Sequence, residues 1–393
     1  MKRRTVLSMA AGAVAVATLP RIPAFAAGRE DNMKYRGIVY DVGLRFTLGQ
    51  PYSVEPFDPA LAAHDIRVIA KEMHANAIRI EGEEIDRLVA ASRSAHAEGL
   101  TIFFNPWKMN VPVTELADYY AQAAHAAEEL RKDGADIIFV AGCEATLFNL
   151  GILDGSTVIE RVTGLAALFQ DMQSEKTAAL LKEKSAMLND ALRDIVAGVR
   201  KAFNGQVTYS AGMWEMVDWG LFDIVGLDHY RAGEPPEEYV AALDRYRIGK
   251  PIIVMEVGSC AYEGAGVLGA GGFMRLQGTN PDGTGIFTDG IVPTRSEREQ
   301  ADYAAEQLGL LETAGVEGVF IFVFSFPAFR LGEGARDLDM MSFSLVKTYP
   351  DDHPKGQCMP PWEPKEAFHR IADVFQKMQQ AGSQQLRHRA DKT

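Results

Sequence analysis

Two glutamates stand where a strand has just ended. Glu144 closes the run Ile137-Ile138-Phe139-Val140-Ala141-Gly142-Cys143-Glu144, and Glu256 follows Pro251-Ile252-Ile253-Val254-Met255. Both runs are short and apolar with almost no polar interruption, as a strand covered on both faces requires. A carboxyl group at such a strand end is held rigidly at the rim of a core. Two of them facing one another can divide labour at an acetal carbon. One acid protonates the leaving oxygen, and the other carboxylate attacks the carbon or activates a water. Glycosidic bond cleavage of this kind needs a separation of about 5–5.5 Å for retention and a wider gap for inversion. The two environments must also push the pKa values apart, so that one group stays protonated near neutrality.

The elements around these residues set where they sit. Short apolar runs at 37–40, 77–80, 101–104, 135–140, 206–210, 223–227, 251–255 and 316–322 read as eight strands. Amphipathic segments at 59–73, 83–98, 113–132, 174–203, 236–246, 296–313 and 365–378 read as helices. Helices between consecutive strands imply parallel pairing with right-handed crossovers. Eight such units predict a single-domain (β/α)₈ TIM barrel over residues 33–380. An open doubly wound sheet is the rival, but no Gly-x-Gly-x-x-Gly turn follows the first strand. Two long connections, 261–294 and 328–361, are expected to wall the site. The polar stretch 381–393 is expected to be a disordered tail.

In such a barrel the site lies at the carboxyl ends of the strands. That rule selects Arg79 and Glu81 after strand two, Asn105 and Trp107 after three, Glu144 after four, and Trp214 and Glu215 after five. His229 and Tyr230 follow strand six, Glu256 follows seven, and Phe324 and Phe326 follow eight. Carboxylates, aromatic rings and one arginine around a single mouth suit a sugar, whose ring faces are apolar and whose rim is hydroxylated.

A Glu ending strand four and a Glu ending strand seven resembles the clan A glycoside hydrolases, a large group of retaining (β/α)₈ enzymes. The likeness spans the mature chain in element order and is most specific around 137–144 and 251–258. It implies that Glu144 is the acid/base and Glu256 the nucleophile, supported by Arg79 and hydrogen-bonded by Tyr230. It implies a carbohydrate or glycoside substrate, with no cofactor and no metal. Two positions depart from the clan's pattern. Cys143 stands where most members carry Asn, and strand eight offers Phe324 or Phe326 in place of Trp.

Two other classes of function fit the same residues. Glu81, Glu144, Asp228, His229 and Glu256 would suit a divalent-metal barrel enzyme, although no His-x-His follows strand one. A non-catalytic carbohydrate-binding barrel is the other. A net charge of −13 argues against nucleic acid as partner. Residues 1–27 read as an export signal: Lys2-Arg3-Arg4, an apolar run, then Ala24-Phe25-Ala26. The pair Arg3-Arg4 resembles a twin-arginine signal, which implies a periplasmic or secreted protein. No later stretch approaches the ~18 apolar residues of a membrane span. Cys143, Cys260 and Cys358 form no framework or metal motif; Cys260–Cys358 is the one bridge considered. The sequence leaves the oligomeric state open.

Overall fold

The computed structural model describes residues 33–171 and 174–390; the expected export signal lies outside them. Eight strands carry the fold: β1 (Tyr35–Asp41), β2 (Ala77–Gly82), β3 (Thr101–Pro106), β4 (Ile137–Cys143), β5 (Gln206–Gly212), β6 (Val225–Asp228), β7 (Ile252–Val257) and β8 (Gly318–Ile321). All pair in parallel with their chain neighbours, and β1 also pairs with β8, which closes the barrel. The (β/α)₈ barrel expected from the sequence is the fold observed.

Strand alternation sorts the side chains into two cores. Tyr35, Val39, Ala77, Phe103, Ile138, Val140, Ile253, Met255 and Phe320 pack together inside the barrel. Ile38, Tyr40, Ile78, Ile80, Ile102, Phe104, Phe139 and Val254 belong to a second core with residues of the surrounding helices, Pro59–Lys71, Ile85–Ala97, Leu116–Lys132, Glu175–Ala202, Glu297–Ala314 and Glu366–Ala390. The inward set of β2 runs Ala77, Arg79, Glu81, so the core residue at its start is followed by charge at its carboxyl end. Helix starts are set locally: Asp58 accepts a bond from Ala60 N ahead of Pro59, and Ser296 accepts one from Glu299 N.

Three register shifts shape the mouth, one of them between β7 and β8, where Ile321 pairs with Val257; the other two bear on the site. One lies in β4 between Val140 and Cys143, so that Cys143, not Gly142, stands opposite Ser210. Gly142 takes φ +119°, and a Cβ there would meet the Tyr120 hydroxyl at 3.0 Å and the Tyr209 ring at 3.1 Å. Another lies between Leu227 and Asp228, where Asp228 pairs with Glu256.

The connection 261–294 is more ordered than its composition suggests. It holds a 3₁₀ segment, Gly266–Arg275, and a small ribbon of Leu276–Thr279 with Gly285–Phe287. The connection 328–361 contributes Val346–Thr348, which pairs with Trp362–Pro364. Arg295 joins the two: its guanidinium contacts Asp337 at 3.0 Å, Asp339 at 2.9 Å and Glu297 at 2.8 Å. Asp339 also holds the buried Lys365 at 2.9 Å, at the start of the last helix.

Two expectations are corrected here. The last helix does not stop near 378; it runs to Ala390, so 381–390 is helical rather than disordered. Gln, Arg, Leu and Ala dominate that stretch, and they propagate a helix once its first turns are docked. Nor are Cys260 and Cys358 bridged. Cys260 is buried with its Sγ 3.1 Å from Met341 O, whereas Cys358 is exposed. No helix among the described residues is long and apolar enough to cross a membrane.

Candidate active site

Arg79 is the centre of the mouth. Its side chain is fully buried, and Nη1 lies 2.9 Å from Glu256 Oε1 and 3.9 Å from Asp228 Oδ1, while Nη2 lies 3.1 Å from Glu81 Oε2. Nη1 also donates to Met255 O at 3.1 Å, and Nε donates to Asn105 Oδ1 at 3.3 Å. The Trp107 ring sits 5.9 Å from the guanidinium carbon. One cation therefore faces three carboxyl groups whose side chains are almost wholly buried. Burial drives the Glu81 and Asp228 carboxyls well above the ordinary range, and Glu256 raises both further against the pull of Arg79.

Glu256 is clamped on both oxygens. Oε1 takes Arg79, and Oε2 accepts the Tyr230 hydroxyl at 2.8 Å. Cys143 Sγ lies 3.6 Å from Glu256 Oε1 and 3.6 Å from Asp228 Oδ2, and Ser210 Oγ donates to Asp228 Oδ1 at 2.6 Å. Glu144 is half-buried, and its backbone takes the left-handed conformation, φ 39° and ψ 47°. Burial is the largest influence raising its carboxyl well above the usual range; Asp228, Glu256 and Glu215 add to it and Arg79 opposes it. The two carboxyl groups picked out by the sequence thus share one electrostatic site, one ion-paired and one disposed to hold a proton.

The other expected residues divide. Asn105 and Trp107 line the cluster, and Asn105 Nδ2 and Trp107 Nε1 are buried without protein partners. Trp214 is half-buried beside the turn that follows Glu144, with Nε1 donating to Thr146 Oγ1 at 3.0 Å. Phe326 packs partly buried at the top of the inner core, its ring 6.0 Å from Phe46. His229 does not join the cluster. Its ring stacks on Tyr239 at 4.1 Å and its Nε2 bonds Tyr239 O, so it belongs to the packing outside the barrel. Phe324 likewise turns outward, buried against Tyr40 and Trp362.

Sequence reasoning missed Phe322 and Phe343, and it placed Glu215 at the end of strand five without giving it a role. Phe322 is partly buried against the inner core, and Phe343, from the connection after β8, packs 5.8 Å from both Phe322 and Tyr230. Beneath Glu144, Glu215 accepts bonds from Thr146 N, Thr146 Oγ1, Tyr209 OH and Gly212 N. Strand parity could have found Phe322; nothing local in the sequence marks Phe343.

Cys143, Asp228 and Glu256 each offer a donor atom, all within 4.8 Å of one another. A divalent ion held there would lie against Arg79, which already supplies the positive charge at both carboxylates. The donor set alone suits a metal, but its surroundings do not.

The fold and site define a (β/α)₈ barrel with a carboxylate pair at its carboxyl-end mouth. No family profile matches the sequence, and no curated protein does. Among solved structures the chain is similar to a complex of a family GH113 β-1,4-mannanase, at 14% identity and a TM-score of 0.52. That alignment covers 88% of this chain and 99% of the other. A second structure of a GH113 β-1,4-mannanase aligns at 14% identity and TM-score 0.52, over 87% and 99%. Likeness at this identity is likeness of fold.

Proposed function

We propose that this chain is a retaining glycoside hydrolase, with Glu256 as nucleophile and Glu144 as acid/base. One observation carries the reading: Arg79 and Tyr230 each hold one oxygen of Glu256, while burial and neighbouring acids favour a protonated Glu144. In the first step the Glu144 proton passes to the glycosidic oxygen as a Glu256 oxygen bonds to the anomeric carbon. The C–O bond to the leaving group breaks, and a glycosyl ester remains on Glu256. In the second step Glu144, now a carboxylate, takes a proton from water. That water attacks the anomeric carbon, and Glu256 departs as a carboxylate. The export signal read at 1–27 would place this reaction outside the cytoplasm.

Turnover of a panel of aryl glycosides and β-1,4-linked polysaccharides, mannan included, tests the class. Glu256→Ala abolishes turnover of an aryl glycoside, and azide restores it as a glycosyl azide; a fully active variant ends the nucleophile assignment. The rival reading, a metal-dependent barrel enzyme, rests on the Cys143–Asp228–Glu256 donor set alone, against the Arg79 charge beside it. Loss of activity on chelation, with recovery on adding a divalent cation, would favour it.

A further inference from the structure

Glu144 holds a conformation that a glutamate adopts only where its surroundings impose it. Its φ of 39° and ψ of 47° are left-handed, and the four-residue helical turn Ala145–Phe148 begins directly after it. The constraint comes from β5 and the turn beyond. Glu144 N donates to Ser210 O at 2.9 Å, Ala145 N to the Tyr209 hydroxyl at 2.7 Å, and Thr146 N to Glu215 Oε1 at 3.1 Å. The Thr146 hydroxyl donates to the same Glu215 oxygen at 2.6 Å, and Tyr209 OH lies 3.1 Å from Glu215 Oε2. Three successive backbone N–H groups are thereby tied to the neighbouring strand, two of them through Glu215 or the tyrosine bonded to it.

We propose that Glu215 is a positioning residue for Glu144, a buried carboxyl that holds the turn after the acid/base in the shape its left-handed backbone requires. The inference rests on reading Glu144 as the acid/base. Glu215 is 2% exposed and makes no ion pair among the described residues; the titratable groups around it are Tyr209, Tyr246, Glu144 and Asp228, with Arg245 beyond, bonded to the Tyr246 hydroxyl and to Met213 O. A buried carboxyl without an ion partner is costly to keep. An apolar residue would pack there at less cost, but it would leave the N–H of Thr146 and the hydroxyls of Thr146 and Tyr209 without their acceptor. Burial pushes Glu215 up to about 7, and the bonds from Thr146, Tyr209 and Gly212 pull the other way. The Trp214 indole hangs from the same Thr146 hydroxyl, so the network also places the aromatic ring beside the acid.

The test uses Glu215→Gln and, as the milder change, Tyr209→Phe, which removes only the hydroxyl shared by Ala145 N and Glu215. Crystal structures of both variants give the backbone of residue 144 without any substrate; it is expected to leave the left-handed region in Glu215→Gln. Kinetics on the 2,4-dinitrophenyl and phenyl glycosides of the sugar the parent cleaves give the second readout. For Glu215→Gln, kcat/KM on the phenyl glycoside is expected to fall at least about fiftyfold, and on the dinitrophenyl glycoside by less than about fivefold. KM stays near the parent value, and azide accelerates the variant on the activated substrate but not the parent. Tyr209→Phe shows the same pattern, about tenfold on the phenyl glycoside. Equal losses on the two substrates, or an unmoved residue 144 in both variants, overturn the proposal. A parent that cleaves no glycoside defeats the functional reading alone, because the conformation of residue 144 still decides whether Glu215 holds it.

Discussion

At the scale of single residues, the site is a problem of too many acids for one cation. Arg79 meets Glu81, Asp228 and Glu256 in a space where an unpaired charge is expensive. Arg79→Ala leaves that cluster without its counter-charge, and we expect a loss of about 3–5 kcal/mol in denaturant unfolding at neutral pH. Tyr230→Phe removes one bond to Glu256, the proposed nucleophile, worth about 1.5–3 kcal/mol. Its kcat/KM should fall roughly tenfold to a hundredfold while the melting temperature barely moves, since Tyr230 is half-buried at the rim. With the Glu144 carboxyl held high, activity should persist into neutral pH and decline on the alkaline side as that proton is lost. Glu144→Gln removes this alkaline limb on activated substrates; a limb that survives unchanged would mean another group carries the proton. Arg79, Glu144, Tyr230 and Glu256 were legible because a residue at the end of an apolar run has only one end of the barrel to occupy. His229 was misjudged although parity predicts its place: Asp228 points in, so the next residue points out. Phe324 failed for a subtler reason. Phe320 and Phe322 point inward, but Val323 also packs inward, and that slip in alternation sends Phe324 outward.

At the scale of elements, the decisive device is the irregularity in β4. A regular strand would bring Gly142 round to the site; the register shift delivers Cys143 and hands Glu144 on to the following turn. Gly142→Ala should destabilise the protein by about 1–3 kcal/mol, because its φ is positive and the methyl would press on Tyr120 and Tyr209. Chemical denaturation measures this, and a neutral substitution would show that the bulge relaxes freely. None of this was legible, since a bulge adds no apolar signal to a run that already reads as buried. The strand and helix order was legible because each run lies between clear breaks. The length of the last helix was not: Gln379–Ala390 has helix-forming composition but no apolar stripe long enough to announce docking.

At the scale of the whole molecule, several acids are buried without an ion pair among the described residues; the nearest help is Arg87, which pulls weakly on Asp41. Burial raises Asp41 to about 6 and Asp65 to about 7, against bonds from Ser53 and Gly43 to the first and from Trp362 and Tyr40 to the second. Glu215 is raised to about 7 in the same way. A folded-state pKa above the unfolded value means the native chain binds more protons in that interval, so stability falls as pH rises through it. Thermal melts should therefore show the protein more stable near pH 5 than near pH 8, with the decline spread over about pH 4 to 7. Asp65→Asn should flatten part of that slope, and an identical slope would remove Asp65 from the account.

The Arg295 junction has a consequence for how the chain comes apart. Segments more than forty residues distant in sequence, one after β7 and one after β8, are fastened to a single guanidinium, and through Asp339 to Lys365 at the root of the last helix. Neither excursion can peel away alone without stranding a charge in a dry interior. Amide protons at 260–263, 339–345 and 366–372 should consequently exchange with deuterium as one block rather than as three. The roof over the mouth and the carboxyl-terminal helix would then share a fate, persisting or being cleaved by proteases together.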